Sequence, residues 1–297
     1  MCWKDLQQLN IFYQLKTFKM ISTSVFSLES WHPYTQRILN NALNFGTVFP
    51  NRSSIVIIDN IVRDFVSCGF WQLLDIFYLF GGNSDVTQTF RCINWINPSK
   101  HFGSFLGNIV TGSINIYGLK GNGISGVNGI SFLTNYGYIS NAVKYTTNNA
   151  SLGCVTYIDD TSITPDSDSY LSSYQSGRYP SLTPAQLQRI NSANTSVSFS
   201  LSGTGLKILN RISATTINMI NKDNLNTRTL NTATEVTALD TDKLQALRMQ
   251  AANSSYVSDA GLTIIFAGAA IPYVIAQQVR DIMNNRFYTP LGLTLLA

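Results

Sequence analysis

Apolar positions recur at three- and four-residue spacing up to Gly69, and in short alternating or continuous runs after it. In "PYTQRILNNALNF", Tyr34, Ile38, Leu39 and Leu43 share one helical face, and Gly46 follows as a stop. "RSSIVIIDNIVRDFVSCG" predicts a second helix with Ser53 or Ser54 as N-cap. Its apolar face is Ile58, Ile61, Val62 and Phe65, and Gly69 stands at the C-terminal cap position. "FWQLLD" continues for one turn. "IFYLF" then reads as a strand buried on both faces, ended by the turn "GGNSD".

From there to about residue 270 the pattern is strand and turn. Strands are predicted in "RCINWINP", "GSINIYG", "SLGCVTYI", "TSVSFSLS", "GLKILNRI", "TTINMINKD", "LNTRTLNT" and "LTIIFAG", with "NKDN" as a hairpin tip. The Ser-rich tract from Asp159 to Arg189 is a long connection, within which "LTPAQLQRI" predicts a helical turn. A last helix begins near Pro272, with Ile275, Val279, Ile282 and Met283 as its stripe. The fold class is mainly β: an antiparallel jelly-roll sandwich, preceded by a short helical region and closed by a C-terminal helix. The division is an arm over 1–32, a helical region over 33–69 packing on the sheet, and the sandwich over 70–297, with its helix at about 272–288. Met20 is an alternative start, which makes residues 1–19 a leader.

Composition sharpens this picture. Charged residues are 12% of the chain, half the usual share of about 25%, and Asn, Ser and Thr fill the deficit. Glu29 and Glu235 are the two glutamates, a poor supply of helix formers. The net charge of +4 is scattered, so no basic patch for nucleic acid is expected. "MCWKDLQQLN" lacks the apolar core of a signal peptide, and Gln72 and Asp75 interrupt the greasiest run, so no membrane span is expected. Cys2, Cys68, Cys92 and Cys154 lack metal-ligand spacing and read as buried free thiols.

Chemistry-bearing residues are sparse. His32 and His101 have no clear carboxylate partner beyond Glu29, and no nucleophile elbow, zinc motif or phosphate loop occurs. Neither catalysis nor a bound cofactor is expected. Asp159, Asp160, Asp166 and Asp168 are a weak oxygen-ligand set for Ca²⁺, though with no defined calcium-loop spacing. Tyr136, Tyr138, Tyr170, Tyr174 and Tyr179 fall in turn-rich segments, where exposed rings would meet a sugar or a protein partner. Trp71, Asp75 and Tyr78 are the structural anchors of "GFWQLLDIFYLFGG"; Trp71 is expected to pin the helix to the sheet, and Asp75 to cap or turn the chain between them.

That stretch, with its preceding helix, resembles a segment of tailed-phage virion proteins with a concanavalin A-like (LamG-like) jelly roll, including those of crAss-like phages. "INWINP", "GLKGNGISGVNGISFLT", "ASLGCVTYI", "GLKILNRISATTINMINKDNL" and "VSDAGLTIIFAGAAIPYVIAQQVRDIMNNRF" continue the resemblance in order over roughly residues 35–290. "SLTPAQLQRINSA" departs from the pattern, and "GISGVNGIS" lacks its usual Tyr. The resemblance implies a virion accessory protein, as in a head fibre, capsid decoration or tail appendage, assembled in the bacterial host cytoplasm. Its implied partners are other virion proteins and sister copies, as a homo-oligomer, with a host-surface glycan as a further partner. The alternatives are a carbohydrate-binding receptor module of a tail fibre and, behind it, a polysaccharide hydrolase.

Overall fold

His32 and Pro33 start the first helix, α1 (Pro33–Asn44): the His32 side chain accepts from Tyr34 N, and proline fills the first turn, where no N–H is needed. In this computed structural model, which describes residues 30–124, 126–137, 142–160, 170–173, 181–182, 188–191, 201, 203–222, 224–229, 243–248, 258–294 and 296, α2 follows over Arg52–Ser67. Its N-cap is Asn51, whose side chain accepts from Ser54 N at 2.9 Å, rather than either serine. Gly69 takes the left-handed conformation (φ 84°) that ends the helix, and one further turn, α3 (Phe70–Leu73), leads into β1 (Leu74–Leu79).

The remaining described elements are α4 (Gln88–Arg91), β2 (Ser104–Leu106), β3 (Leu119–Lys120), β4 (Ser131–Leu133), β5 (Ala150–Ile158), β6 (Leu171–Ser173), β7 (Ser181–Leu182), β8 (Gly205–Arg211), β9 (Thr216–Asn221), β10 (Asn224–Thr229), β11 (Leu244–Ala246), β12 (Gly261–Gly268) and α5 (Tyr273–Met283), which runs into a π turn over Asn284–Tyr288. Strand pairing is antiparallel throughout the described residues. The larger sheet runs β1-β12-β5-β8-β9-β10, with β3 also on β12; the smaller runs β2-β4-β11-β6-β7. The expected β-sandwich with flanking helices is the architecture observed.

Three layers result. Ile76, Tyr78, Leu152, Leu209, Met219 and Ile265 of the larger sheet pack towards Phe132, Leu171 and Leu244 of the smaller. The opposite face of the larger sheet, with Phe77, Val155, Ile208, Ile220, Ile264 and Phe266, meets Ile38, Ile58, Val62, Phe65, Val279 and Met283 of the helices. Where the sheet is covered on both sides its strands have no solvent-facing side, which is why β1 and β12 read as largely apolar runs; β8 is as buried but carries Lys207, Asn210 and Arg211 inside. Where Phe266 crosses β5, Gly153 leaves room for the ring: a Cβ there would lie 2.0 Å from Phe266 Cζ.

Several segments depart from the pattern reading. "RCINWINP" is not a strand: α4 ends at Arg91, and the chain then brackets β1 through Trp95 N to Phe77 O (2.9 Å) and Phe77 N to Asn94 Oδ1 (3.1 Å). "GSINIYG" is a turn rather than a strand, closed by Asn115 N to Gly118 O (2.9 Å) and by Tyr117 and Gly118 N–H groups on Asn115 Oδ1. Phe70, edge-on to Phe266 at 5.2 Å, puts its ring on the sheet, whereas Trp71 stacks on Tyr34 at 5.0 Å and so joins α3 to α1. Cys92 and Cys154 are buried, but Cys68 is half-exposed at the end of α2. "TSVSFSLS" apart from Leu201, and most of "LTPAQLQRI", lie outside the described residues. No helix among the described residues is long and apolar enough to cross a membrane.

Candidate functional site

A β-bulge aims Asp75. The β1–β12 register shifts between Leu74 and Ile76, so Leu74 and Phe77 both face the helices while Asp75 turns into the sandwich. There it accepts from Tyr136 Oη (2.9 Å) and from the backbone N–H groups of Val143 (3.1 Å), Lys144 (2.9 Å) and Tyr145 (2.8 Å). Asp75 therefore does not cap the helix exit; it ties β1 to residues 143–145, in the acceptor-only pattern of a carboxylate. Tyr78 is anchored beside it, its hydroxyl lying against the carbonyls of His101 and Thr134.

Tyr136 and Tyr170 are fully buried, so neither presents a ring to a ligand. The turn-rich flanks that suggested exposure conceal carboxylate partners: Asp75 for Tyr136, and Asp159 for Tyr170 at 2.8 Å. Burial first, and then those carboxylates, push both phenols well above their ordinary range. Tyr138, Tyr174 and Tyr179 lie outside the described residues.

Asp159 also accepts from Gly203 N (2.6 Å), and Asp160 accepts from Ser258 Oγ. Those contacts use the carboxylates as internal acceptors, and no group of three or more His, Cys, Asp or Glu side chains suited to a metal occurs among the described residues. Asp166 and Asp168 lie outside them. Nearby, Lys207 is buried opposite Cys154, donates to Gly203 O, and sits 5.5 Å from the Tyr170 ring centre. Burial holds its amine down to about 8. The histidines sit elsewhere: the His32 backbone N–H donates to Asp59 Oδ1 (2.7 Å), and His101 Nδ1 meets Asn135 O (3.2 Å).

An open cleft of about 690 Å³ lies between residues 82–91 and 109–116, a size that suits a small-molecule or oligosaccharide unit. Both walls are fixed. Gly82 N donates to Ile116 O (2.9 Å), and at Gly81 a Cβ would fall 2.4 Å from the Phe287 ring. Thr87 caps α4 by accepting from Phe90 N at 3.2 Å. Across from it, Ser113 Oγ accepts from Val110 N (3.0 Å) and Asn115 closes its own turn. Arg91 carries the one charge of the lining; Asp85, near enough to favour its cation, spends its oxygens on Asn51 N (2.7 Å) and Ser54 Oγ (3.0 Å). Its Nη2 is shared between Gly82 O (3.3 Å) and Asn83 O (3.2 Å), while its buried Nε has no partner. Gln88 and Thr111 are exposed beside it, and Val110, Ile114 and Ile116 supply apolar surface. The pattern reading missed this site. Its one sequence signal was an arginine nine residues after a Gly-Gly turn.

No family model and no curated protein matches the chain. Among solved structures, the binding domain of botulinum neurotoxin DC in complex with rat synaptotagmin II is similar over 71% of this chain and 52% of its own, at 8% identity and TM-score 0.46. A botulinum neurotoxin type C structure, whose cell entry depends on two ganglioside molecules, matches over 72% and 52% at 8% identity and TM-score 0.47. Trypanosoma rangeli sialidase with 2,3-difluorosialic acid matches over 81% and 40% at 12% identity and TM-score 0.47. The chain thus spans about half the length of the neurotoxin structures it matches. Likeness at this distance carries no inference about ligand, reaction or partner.

Proposed function

We propose that this chain is an adhesion module that binds a host-surface glycan without turning it over, and that it works as an accessory protein of a tailed-phage particle. The observation that carries the binding reading is the fixed-wall cleft between residues 82–91 and 109–116, with side-chain amide, hydroxyl and guanidinium groups beside an apolar strip. Polar groups of that kind pair with sugar hydroxyls, and aliphatic side chains accept the C–H face of a pyranose. Asp159 and Asp160 spend their oxygens on internal donors, so the binding proposed needs no Ca²⁺ from them. The phage setting draws its support from the ordered motifs of residues 35–290.

A glycan array, run with and without calcium, tests the adhesion reading. Binding to at least one glycan class, lost when Gln88 and Thr111 are both replaced by Ala, is the expected result. A blank array overturns it, and turnover of a bound polysaccharide overturns the non-catalytic part. The particle setting has its own test: deleting residues 1–30 should abolish incorporation into particles, and full incorporation removes attachment through that segment.

A further inference from the structure

On the adhesion reading above, we infer that the cleft selects an acidic sugar, with the ligand's carboxylate held by Arg91 and its ring laid against Val110 and Ile114. Three observations point to a carboxylate. First, Arg91 is the single charge among the lining residues, and the one acid near enough to act on it, Asp85, spends its oxygens on Asn51 N and Ser54 Oγ rather than on the guanidinium. Second, the guanidinium is held but not satisfied. The carbonyls of Gly82 and Asn83 fix Nη2, yet the buried Nε has no partner. An arginine with 5% exposure and unused donors gains from an anionic partner what it lost on leaving water. Third, the neighbouring groups fit a sugar acid better than a free anion. Gln88 and Thr111 offer hydroxyl partners that an inorganic ion would not use, and Val110, 56% exposed, offers apolar surface that such an ion would avoid.

Planar carboxylate matches the guanidinium fork through paired N–H contacts, whereas a phosphate site is ordinarily built from several cations or a run of backbone N–H groups. With one arginine and no lysine in the lining, a carboxylate is the anion this cleft accommodates. Burial lowers Arg91 to about 10, which leaves it a cation at neutral pH.

The test leaves the protein unaltered and changes the ligand. Binding of the full chain is measured to sialyllactose and to a hexuronate tetrasaccharide, each beside its carboxyl-reduced form, with lactose and a neutral hexose tetrasaccharide as references. The inference expects at least one acidic ligand to bind, and to lose about 10- to 100-fold in affinity on carboxyl reduction, the loss of a charge-assisted hydrogen-bonded pair. Which acid binds separates nonulosonic from uronic chemistry. Equal binding of the reduced and acidic forms, or a preference for the neutral references, overturns the acidic-sugar inference while leaving glycan adhesion standing. No binding to any ligand overturns both. In a second arm, Arg91→Lys keeps the charge and loses the fork. A melting curve within a few degrees of wild type, with affinity for the acidic form reduced about tenfold and affinity for the reduced form unchanged, supports the assignment. Equal losses for both forms overturn it.

Discussion

Replacing Asp75 by Asn tests whether one carboxylate holds the loop at 143–145 to the first strand. The exchange preserves shape but converts one acceptor oxygen to an NH₂ group. In the wild type one oxygen takes Val143 N and Lys144 N, and the other takes Tyr136 Oη, Lys144 N and Tyr145 N. Whichever way the amide is turned, it meets at least one backbone N–H with another donor, and the charge behind the remaining bonds is gone. Charge-assisted hydrogen bonds contribute about 1.5–3 kcal/mol each, so losing two of them costs on the order of 3–6 kcal/mol. Tyr136→Phe, which deletes one donor and leaves the three backbone N–H groups their acceptor, should cost about 1–2 kcal/mol. Urea unfolding supplies both numbers, provided that the midpoint moves and the slope does not. Amide exchange at residues 143–145 should accelerate in Asp75→Asn and much less in Tyr136→Phe. A Asp75→Asn protein within about 1 kcal/mol of wild type, with those amides still protected, would refute the reasoning.

Further predictions concern the helix layer and the buried lysine. Trp71→Ala removes a ring stacked on Tyr34 and should cost on the order of 3–5 kcal/mol, read from chemical denaturation; an unchanged midpoint means that α1 does not depend on it. Asn210 holds Ile271 at two points, donating to its carbonyl (2.9 Å) and accepting from its N–H (3.0 Å). Asn210→Leu should therefore cost about 2–4 kcal/mol and raise amide exchange at the start of α5, and a null effect on both is the refuting result. Lys207 has a folded value of about 8 against 10.5, so between those values the unfolded chain binds a proton that the folded chain lacks, and stability rises with pH. Cys92 and Cys154, pushed up to about 12 from 9.0 by burial, oppose it as pH approaches and passes 9. The lysine's own gain, about 1 kcal/mol between roughly pH 8 and 9, is therefore read as the difference between the wild-type profile and that of Lys207→Met, which keeps the thiols. Parallel profiles for the two proteins contradict it.

The legible parts of the fold were those whose signal is local. The α2 stripe, the doubly buried runs of β1, β5, β8 and β12, and the hairpin at Asn221–Asn224 each lie within one short window. The smaller sheet was not legible because its described strands, such as Ser104–Leu106 and Leu171–Ser173, have three residues or fewer, too short to show a period. Asp75 was misread because a bulge is a relation between two strands, and its partner β12 lies almost two hundred residues later. Tyr136 was misread for the same reason, its carboxylate standing 61 residues away, whereas that of Tyr170 is only 11 residues back. In both cases polar flanks report that a segment turns, not that its ring is buried.

The misread segments are also where the candidate site stands. "GSINIYG" and "RCINWINP" alternate or run apolar as strands do, yet neither forms a strand, the first making one isolated bridge from Ile114 to Leu119. In the first, the alternation is that of an Asn115-closed turn, whose Ile114 and Ile116 line the cleft. In the second, Arg91 spends part of its guanidinium on the Gly82–Asn83 turn, while the residues after it brace β1. The central strands β8 and β12 of the larger sheet have both faces buried and their backbone groups paired, which leaves them little to offer a ligand. The side chains of the cleft stand where the chain leaves the ladder and is held by other means: Asn115 on one wall, Gly81 and the Thr87 cap on the other. Apolar pattern therefore locates the scaffold of this protein, and its failures over residues 82–118 locate the surface most able to bind.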